Sequence, residues 1–379
     1  MSPLFFEFEN GEISMRFFEK LLAEADDSYF YKVPQSFTKD SARSLLGYGV
    51  GAALYMPAIR KQVVEEIIER KHVACTSIVL DLEDALGDLQ VEEGERQLVE
   101  HLVKLQQALQ DGLVASQQIP LLFVRVRTPQ QLATIIQRLG SLQQLLTGYV
   151  LPKFTMDDGD AFLKQIEQQN QLGYTLYAMP ILESPRILNK ETRMSELVAI
   201  RALLNRYADY ILNVRIGATD FCGSLGLRRS MHDTIYDMAP LRDCIADIVN
   251  VFLRDDSPFV VSGPVWEYFG THLAERGLIQ EMKQDRLNGL VGKTVIHPTH
   301  LDAVQMMYIV SHEEYSDASR IVSQAAGERG VEKSLYGNKM NEMKPHLTWA
   351  KRILLRAEVY GVLRPELTIE QVLQKQVSE

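Results

Sequence analysis

The chain has 379 residues, of which 46% are hydrophobic and 24% charged, a composition typical of a globular protein with a sizeable core. Its formal net charge is −10 and it has no tract of Lys and Arg, so we expect no binding to nucleic acid. No apolar run approaches the roughly 20 residues of a membrane-spanning helix, so no membrane partner is expected. The N-terminus lacks the features of a signal peptide, and three cysteines without a CxxC pair fit a reducing, cytoplasmic compartment.

From about residue 47 onward, apolar runs alternate with amphipathic helical segments. The predicted strands are residues 50–56, 77–82, 120–126, 148–151, 175–182, 211–216, 258–262 and 292–296. Eight such alternations favour an α/β fold of the (β/α)8 TIM-barrel type, which typically needs about 250 residues. A doubly wound open sheet is the alternative, but the Gly-x-Gly-x-x-Gly turn that would follow its first strand is missing. We therefore predict a catalytic barrel over residues 47–300.

Two segments lie outside the predicted barrel. Residues 1–46 are interpreted as an N-terminal extension that packs against it. Residues 301–379 are interpreted as a C-terminal helical arm or lid, with helices at 302–326 and 348–360 and a loop-rich segment at 327–345. An arm of this kind either covers a barrel mouth or packs on a neighbouring subunit.

Charged residues concentrate where the predicted strands end, and in a barrel these ends line the active face. The residues at these ends are Arg60, Asp81, Glu83, Asp84, Arg125, Arg127, Lys153, Glu183, Asp220 and His297. Glu183 ends the fifth strand, and Asp220 follows the turn at Gly217 after the sixth, so both carboxylates can converge on one hard cation. The alternative is an ion pair of Glu183 or Asp220 with Arg215 or Lys153.

Seven short motifs occur in the order found in the citrate lyase β-subunit-like branch of the HpcH/HpaI aldolase superfamily, which the sequence therefore resembles. The motifs are residues 54–60, 80–85, 124–126, 150–153, Glu183, 217–220 with 225–226, and 292–298. Residues 29–41 and 184–210 are similar to a divergent branch, the TIM-barrel C–C bond lyase-like proteins encoded with tellurite-resistance genes.

The resemblance implies a Mg²⁺-dependent carbon–carbon lyase or aldolase. Its substrate would be a small oxo- or hydroxy-acid or the CoA thioester of one, cleaved through an enolate-like intermediate. Glu183 and Asp220 would bind Mg²⁺, and Arg125 would stabilise the enolate or bind a carboxylate. Glu83 and Asp84 would orient Arg125 and assist proton transfer. The residues that would contact substrate or cofactor are Arg60, Lys153, Gly217 and Ala218.

The sequence also departs from the family pattern at the entrance and at the lid. Ala58 replaces the usual Gly, and Arg127 replaces the usual Asn, so a free-acid aldolase without a thioester stays open. In relatives, a C-terminal lid motif supplies an acid to the adjacent subunit. Residues 339–346 resemble that motif with one residue inserted, which makes Glu342 the candidate acid and predicts a homo-oligomer. The alternative function is a catalytically inactive barrel that serves as a binding or assembly component.

Overall fold

The computed structural model of the chain describes residues 14–23, 29–254, 257–324 and 330–377. Its central sheet has eight parallel strands, each paired with the next along the chain. We number them β1 (Ala52–Pro57), β2 (Ser77–Asp81), β3 (Leu121–Arg125), β4 (Gly148–Leu151), β5 (Tyr177–Leu182), β6 (Val214–Ile216), β7 (Val261–Ser262) and β8 (Lys293–Val295). β1 also pairs with β8, and a bridge from Gly263 to Lys293 joins the end of β7 to β8. The predicted TIM barrel is confirmed.

All eight predicted strands are present, but several are shorter than the apolar runs suggest. β6 begins at Val214, because Ile211 contributes only an isolated bridge to Ala178. β7 is reduced to Val261 and Ser262. The predicted run began at Pro258, which has no N–H to donate to a ladder. The strands are buried almost throughout, as expected of a parallel sheet covered by helices.

Helices cover the outside of the barrel, and their apolar stripes face the sheet. Val63, Val64 and Ile67 of the first such helix are buried, as the spacing predicts. The helices are α1 (Val63–Ile68), α2 (Val91–Gln110), α3 (Pro129–Leu139), α4 (Met156–Gln171), α5 (Lys190–Arg206), α6 (Ala239–Phe252), α7 (His272–Leu287) and α8 (Leu301–Met306). Shorter helical segments are Pro185–Leu188 and Ala218–Ser224, with 3₁₀ turns at Asp88–Gln90, Ser116–Gln118, Gly140–Leu145, Ala208–Tyr210, Ile235–Asp237 and Pro298–His300.

The two ends of the chain pack together. The N-terminal elements are the helices Glu19–Ala23 and Arg43–Gly49 and the strand Phe30–Lys32. The C-terminal arm contains α9 (His312–Gln324), a hairpin of Val331–Lys333 and Met340–Glu342, α10 (Leu347–Tyr360), the strand Val362–Leu363 and α11 (Ile369–Val377). The strands Phe30–Lys32 and Val362–Leu363 pair antiparallel and join the two segments.

This joint region covers the end of the barrel where the strands begin. Phe17 stacks on Tyr360 with ring centroids 4.6 Å apart. Gly51, just before β1, has a φ of 53°, and a Cβ on it would lie 2.9 Å from the Phe17 ring. Tyr308 Oη donates to the carbonyl of Gly292, just before β8, at 3.2 Å. These contacts place the described part of the arm at the end where the strands begin, away from the end where they finish. The domain boundaries near residues 46 and 300 stay a prediction.

Two details of the arm differ from the sequence interpretation. The predicted helix 302–326 is interrupted between α8 and α9, because Val310 exchanges backbone hydrogen bonds with Gly361 (3.1 Å) and Leu363 (2.8 Å). The predicted loop contains the hairpin, although residues 325–329 lie outside the described part. In the described ranges, no helix is both long enough and apolar enough to cross a membrane. Cys75, Cys222 and Cys244 are buried free thiols.

Candidate active site

The candidate site lies inside the barrel at the carboxyl ends of its strands. Asp81 and Arg125 are paired in the register of β2 and β3, so their side chains leave the sheet on the same side. Glu83 follows Asp81 by two residues and is expected on that side as well. Across the barrel, Glu183 directly follows β5 and Gly217 directly follows β6. The strands thus present acidic and basic side chains to one opening.

Three carboxyl groups hold Arg125. Its Nε and Nη2 donate to the two oxygens of Asp81 at 2.7 and 2.6 Å, a bidentate pairing. Its Nη1 lies 3.0 Å from Glu83 Oε2 and 3.2 Å from Asp84 Oδ2. Burial disfavours the charged form, but Asp81 and Glu83 outweigh it and raise the pKa of Arg125 above its usual value. Arg125 is therefore a fixed cation with one Nη2–H left for a ligand.

Asp81 is the partner whose role the sequence interpretation missed. Glu83 and Asp84 were predicted to orient Arg125 and both contact it, yet Asp81 makes the bidentate contact. Asp81 also accepts the backbone N–H groups of Glu83 (2.9 Å) and Ala85 (3.3 Å), so it fixes the loop after β2. The signal was available, because Asp81 and Arg125 end consecutive parallel strands of five residues each, which places them side by side.

Lys153 connects the two halves of the site. Its φ of 47° lies in the left-handed region, which a residue with a side chain seldom occupies. In this conformation its backbone N–H donates to Glu183 Oε1 at 2.8 Å. Its Nζ donates to Glu83 and lies 3.7 Å from Asp84 Oδ1 and 3.8 Å from Asp220 Oδ1. The ammonium group thus has three carboxyl groups around it.

Glu183 is buried against the backbone of Gly217. A Cβ on Gly217 would lie 1.9 Å from Glu183 Oε2, so any other residue would displace the carboxylate. Burial and the neighbouring charge of Asp220 raise the pKa of Glu183 to about 8. The sequence interpretation assigned Gly217 to substrate or cofactor contact. The structure gives it a further role, which is to make room for Glu183.

Asp220 lies in the first turn of the helix Ala218–Ser224, within hydrogen-bonding reach of Glu183. Burial raises the pKa of Asp220 and Asp84 adds to the effect, whereas Lys153 opposes it. A cation between Glu183 and Asp220 would relieve this repulsion. The pair also fits Mg²⁺, which commonly takes one or two carboxylates from a protein. Within the described ranges, no group of three His, Cys, Asp or Glu side chains is placed to hold a metal ion.

The alternative ion pairing for these carboxylates is only partly present. Arg215 does not pair with them, and its Nη2 donates instead to Thr294 Oγ1 at 2.8 Å. Lys153 reaches Glu183 through its backbone and approaches Asp220 only to 3.8 Å. Neither contact provides Glu183 with a cationic side chain.

Arg127, at the position where relatives commonly have Asn, supports the loop after β2. It donates to the carbonyls of Leu82 (2.8 Å), Glu83 (3.1 Å) and Leu86 (2.7 Å). It also forms an ion pair with Asp88 at 2.7 Å. Arg127 therefore stiffens the segment that presents Glu83.

Three other predicted site residues, Ala218, Arg60 and Glu342, form no hydrogen bond or ion pair with the charged groups described above in the described part of the chain. Ala218 is buried at the start of its helix, next to Gly217. Arg60 points to α1, where its Nη2 lies 2.5 Å from Glu66 Oε1. Glu342 is exposed in the hairpin of the arm, which belongs to the opposite end of the barrel. Their roles in binding or catalysis stay predictions, and Glu342 is not positioned to serve the site of its own chain.

Comparison with known proteins identifies the family of the chain. A family model described as C-C bond lyase of the TIM-barrel fold matches residues 44–362. The chain belongs to this family. The resemblance seen in the sequence is thereby confirmed at the level of the family.

Solved structures with the same fold are citrate lyase-like. The chain is 20% identical to CitE from Mycobacterium tuberculosis in complex with magnesium, acetoacetate and coenzyme A, covering 81% of this chain and 97% of that one, with a TM-score of 0.52. The same protein in complex with magnesium and pyruvate is 18% identical, with 82% of this chain and 99% of that one covered and a TM-score of 0.50. A citrate lyase from Burkholderia xenovorans is 14% identical, with 83% of this chain and 94% of that one covered and a TM-score of 0.60. At these identities the likeness shows a shared fold, and no curated protein matches the chain.

Proposed function

We propose that this C–C bond lyase family member is a Mg²⁺-dependent lyase or aldolase. Its substrate is a small oxo- or hydroxy-acid, free or as a CoA thioester, and the reaction passes through an enolate-like intermediate. Mg²⁺, acetoacetate, pyruvate and coenzyme A are bound by the M. tuberculosis neighbour named above, which supports the choice of substrate class. The observation that carries the proposal is the pair formed by the buried Glu183 and the half-buried Asp220, beside the fixed guanidinium of Arg125.

Glu183 and Asp220 are the residues that would hold Mg²⁺. When bound, the ion supplies a Lewis acid that polarises a substrate oxygen. Gly217 keeps the Glu183 carboxylate in place, and the Lys153 N–H orients one of its oxygens. The chain thus contributes two negatively charged ligands whose positions are set by backbone contacts.

The cleavage step follows from the remaining side chains. Glu83, whose pKa is raised by burial although Arg125 and Lys153 oppose it, accepts the proton of the substrate hydroxyl group. The O–H electrons form the new carbonyl, the adjacent C–C bond breaks, and its electron pair becomes an enolate. The free Nη2–H of Arg125 donates to the enolate oxygen. Glu83 then returns the proton to the enolate carbon, which balances the reaction.

A retro-aldol assay tests this function directly. The enzyme with Mg²⁺ is offered a panel of hydroxy-acids as free acids and as acyl-CoA thioesters, and product carbonyls are measured. We expect turnover of at least one class, lost in Glu183→Gln and Asp220→Asn and kept in Glu93→Gln, an exposed carboxylate paired with Arg96 on α2. No turnover with any substrate would favour the inactive, assembly-type barrel, and turnover of free acids alone would exclude the thioester.

We also propose a homo-oligomer in which Glu342 serves a neighbouring subunit. Within one chain the arm lies where the strands begin, whereas the carboxylates lie where they end. Glu342 can therefore reach a site only on another copy. Sedimentation should show a mass above the monomer at micromolar concentration, and a stable monomer would contradict the proposal.

A further inference from the structure

The inner face of β6 contains a buried guanidinium that no carboxylate neutralises. Arg215 is 1% exposed, its Nη2 donates to Thr294, and its Nε and Nη1 have no hydrogen-bond partner in the part of the chain that the structure describes. Burying a charge without a partner is costly. Groups of this kind concentrate where a ligand completes them.

Other buried arginines of the barrel are treated differently. Arg193 contacts Asp243 at 2.8 Å and Asp247 at 2.9 Å through its Nη1. Arg229, also buried, donates through its Nη1 to the buried carboxylate of Glu281. The fold therefore supplies carboxylates where a guanidinium is needed for the framework, and Arg215 is an exception to that pattern.

Tyr55 connects Arg215 to the candidate site. Its ring centroid lies 5.8 Å from Arg215 Cζ and 5.3 Å from Arg125 Cζ. Its hydroxyl oxygen is buried and, among the described residues, has no hydrogen-bond partner. Tyr55 and Thr294 are both only partly buried, whereas Arg215 beside them is 1% exposed. Arg215 and Arg125 contact the same ring, which therefore places Arg215 next to the candidate site.

The positions of Arg215 and Gly217 along the chain give the distance between Arg215 and the Glu183–Asp220 pair. Arg215 precedes Gly217 by two residues on β6 and faces the same side. Two residues of a strand span about 7 Å, so Arg215 lies one layer below the Gly217–Glu183 contact. Asn213, one layer deeper, also has a buried amide without partners in the described ranges. The interior below the metal-binding pair is thus polar, unlike an ordinary barrel core.

We propose that Arg215 and the Tyr55 hydroxyl bind a carboxylate at the end of the substrate that points away from Glu183 and Asp220. This inference rests on the proposed function and narrows its substrate class to small acids with a negative group at each end, or to thioesters that keep a free carboxylate inward. The planar fork of Arg215 fits both oxygens of a carboxylate. Its uncompensated charge gives the subsite its selectivity.

A titration with unreactive ligands tests the subsite. Succinate and butyrate have the same carbon skeleton length but differ by one carboxylate, and their affinities are compared by calorimetry at constant ionic strength with saturating Mg²⁺. We expect the wild type to prefer succinate by about tenfold or more, as for a hydrogen-bonded charge. The preference should vanish in Arg215→Met and shrink in Tyr55→Phe, while both variants keep Mg²⁺ binding.

Stability separates this role from a structural one. Arg215→Met should raise the unfolding temperature of the ligand-free protein, because it removes an unpaired buried charge. Arg193→Met is the matched control and should lower it, because the carbonyls of Ile187 and Leu188 lose their hydrogen bonds to Arg193. Equal affinity of the wild type for succinate and butyrate would overturn the proposal, as would a preference that survives in Arg215→Met.

If Arg215→Met does not fold, the succinate and butyrate affinities of the wild type and of Tyr55→Phe still decide whether a carboxylate binds at Arg215. The titration needs no turnover, so a failure of the retro-aldol assay leaves it intact. Conversely, loss of the succinate preference would not affect the Mg²⁺ titrations of Glu183→Gln that test the proposed function.

Discussion

Two glutamates have opposite surroundings: the buried Glu183 where the barrel strands end, and the partly buried Glu314 at the junction where the arm meets the barrel. Glu314 accepts from Arg286 at 2.8 Å and from Arg356 at 3.1 Å. Burial would raise its pKa, but Arg356 and Arg286 outweigh burial and lower the pKa of Glu314 to about 2. Glu183 faces Asp220 instead, and its pKa rises to about 8. One residue type is thus held as an ion-paired carboxylate in one region and is favoured in its protonated form in the other.

Charge balance explains the difference. At the strand ends, two cationic side chains, Arg125 and Lys153, face the five carboxyl groups of Asp81, Glu83, Asp84, Glu183 and Asp220. At the junction, two guanidinium groups share the single carboxylate of Glu314. Cations thus outnumber the carboxylate at the junction, whereas carboxyl groups outnumber the cations at the strand ends. The excess of carboxylates at the strand ends favours binding of a cation, which is why the site is assigned there.

The largest effect is expected from Arg125. If this residue acts on the reaction, Arg125→Lys should lower kcat by about 10²–10³, because a lysine lacks the fork that fits Asp81 and a ligand together. KM should change less, since the contact is strongest in the transition state. Arg356→Lys is the control from the junction and should alter stability but not kcat. A near-normal kcat in Arg125→Ala would make Arg125 a framework residue like Arg356.

Glu314 should dominate the acid sensitivity of the arm. Its folded-state pKa is below its unfolded value, so its contribution is present above about pH 4.5 and is lost as the pH falls toward 2. Glu314→Gln should lower the free energy of unfolding at pH 7 by about 3 kcal/mol and flatten its pH dependence in this window. Urea unfolding between pH 2 and 7 measures both, with Glu93→Gln as the exposed control. An unchanged pH profile in Glu314→Gln would contradict the assignment.

Glu183 should show the reverse dependence in the metal-free protein. Its raised pKa means that its contribution is fully present below about pH 4.5 and is lost as the pH rises through 8. Glu183→Gln should therefore stabilise the metal-free protein at pH 8, by about 2 kcal/mol because Asp220 shares the proton. Saturating Mg²⁺ should stabilise the wild type and not the variant. Thermal unfolding with and without Mg²⁺ checks this, and an equal response in both proteins would remove Glu183 from the metal site.

The barrel was predictable from the sequence because its signal is local and repeated. Each apolar run of a covered parallel strand stands out against its flanking helices, and eight of them in sequence leave few alternatives. The strand ends were less certain, as β6 and β7 show, since pairing partners decide where a ladder stops. The interruption before α9 was missed for the same reason, because Val310 pairs with a strand about 50 residues later.

The candidate site was predictable in its residue types but only in part in its pairings. Position at strand ends selected Glu83, Glu183 and Asp220 correctly as neighbours of one opening. The bidentate contact of Asp81 with Arg125 could not be predicted without the register of β2 and β3. The missing hydrogen-bond partners of Arg215 could not be predicted without knowing which side chains surround it in three dimensions. The place of Glu342 depends on how the arm docks, which no short-range pattern specifies.

Lys153 gives the smallest effect and the finest test of charge balance at the strand ends. Its Nζ lies among Glu83, Asp84 and Asp220, where it competes with a metal ion for negative charge. Its side chain is 51% exposed, so water screens the interaction and the ammonium can move aside. Lys153→Met should therefore strengthen Mg²⁺ binding by no more than about fivefold.

Calorimetric Mg²⁺ titration of Lys153→Met, beside Lys164→Met as a control from the ion pair with Asp160 on α4, measures this change. The control should leave Mg²⁺ affinity unaltered, since screening removes the influence of a distant surface charge. If Lys153→Met weakened Mg²⁺ binding instead, the reason would lie in the backbone. The backbone N–H of Lys153 donates to Glu183 while Lys153 is in a left-handed conformation with a φ of 47°. A substitution that changes this conformation would break the hydrogen bond and release the carboxylate. Lys153→Gly, which keeps that conformation without strain, would then bind Mg²⁺ more tightly than Lys153→Met.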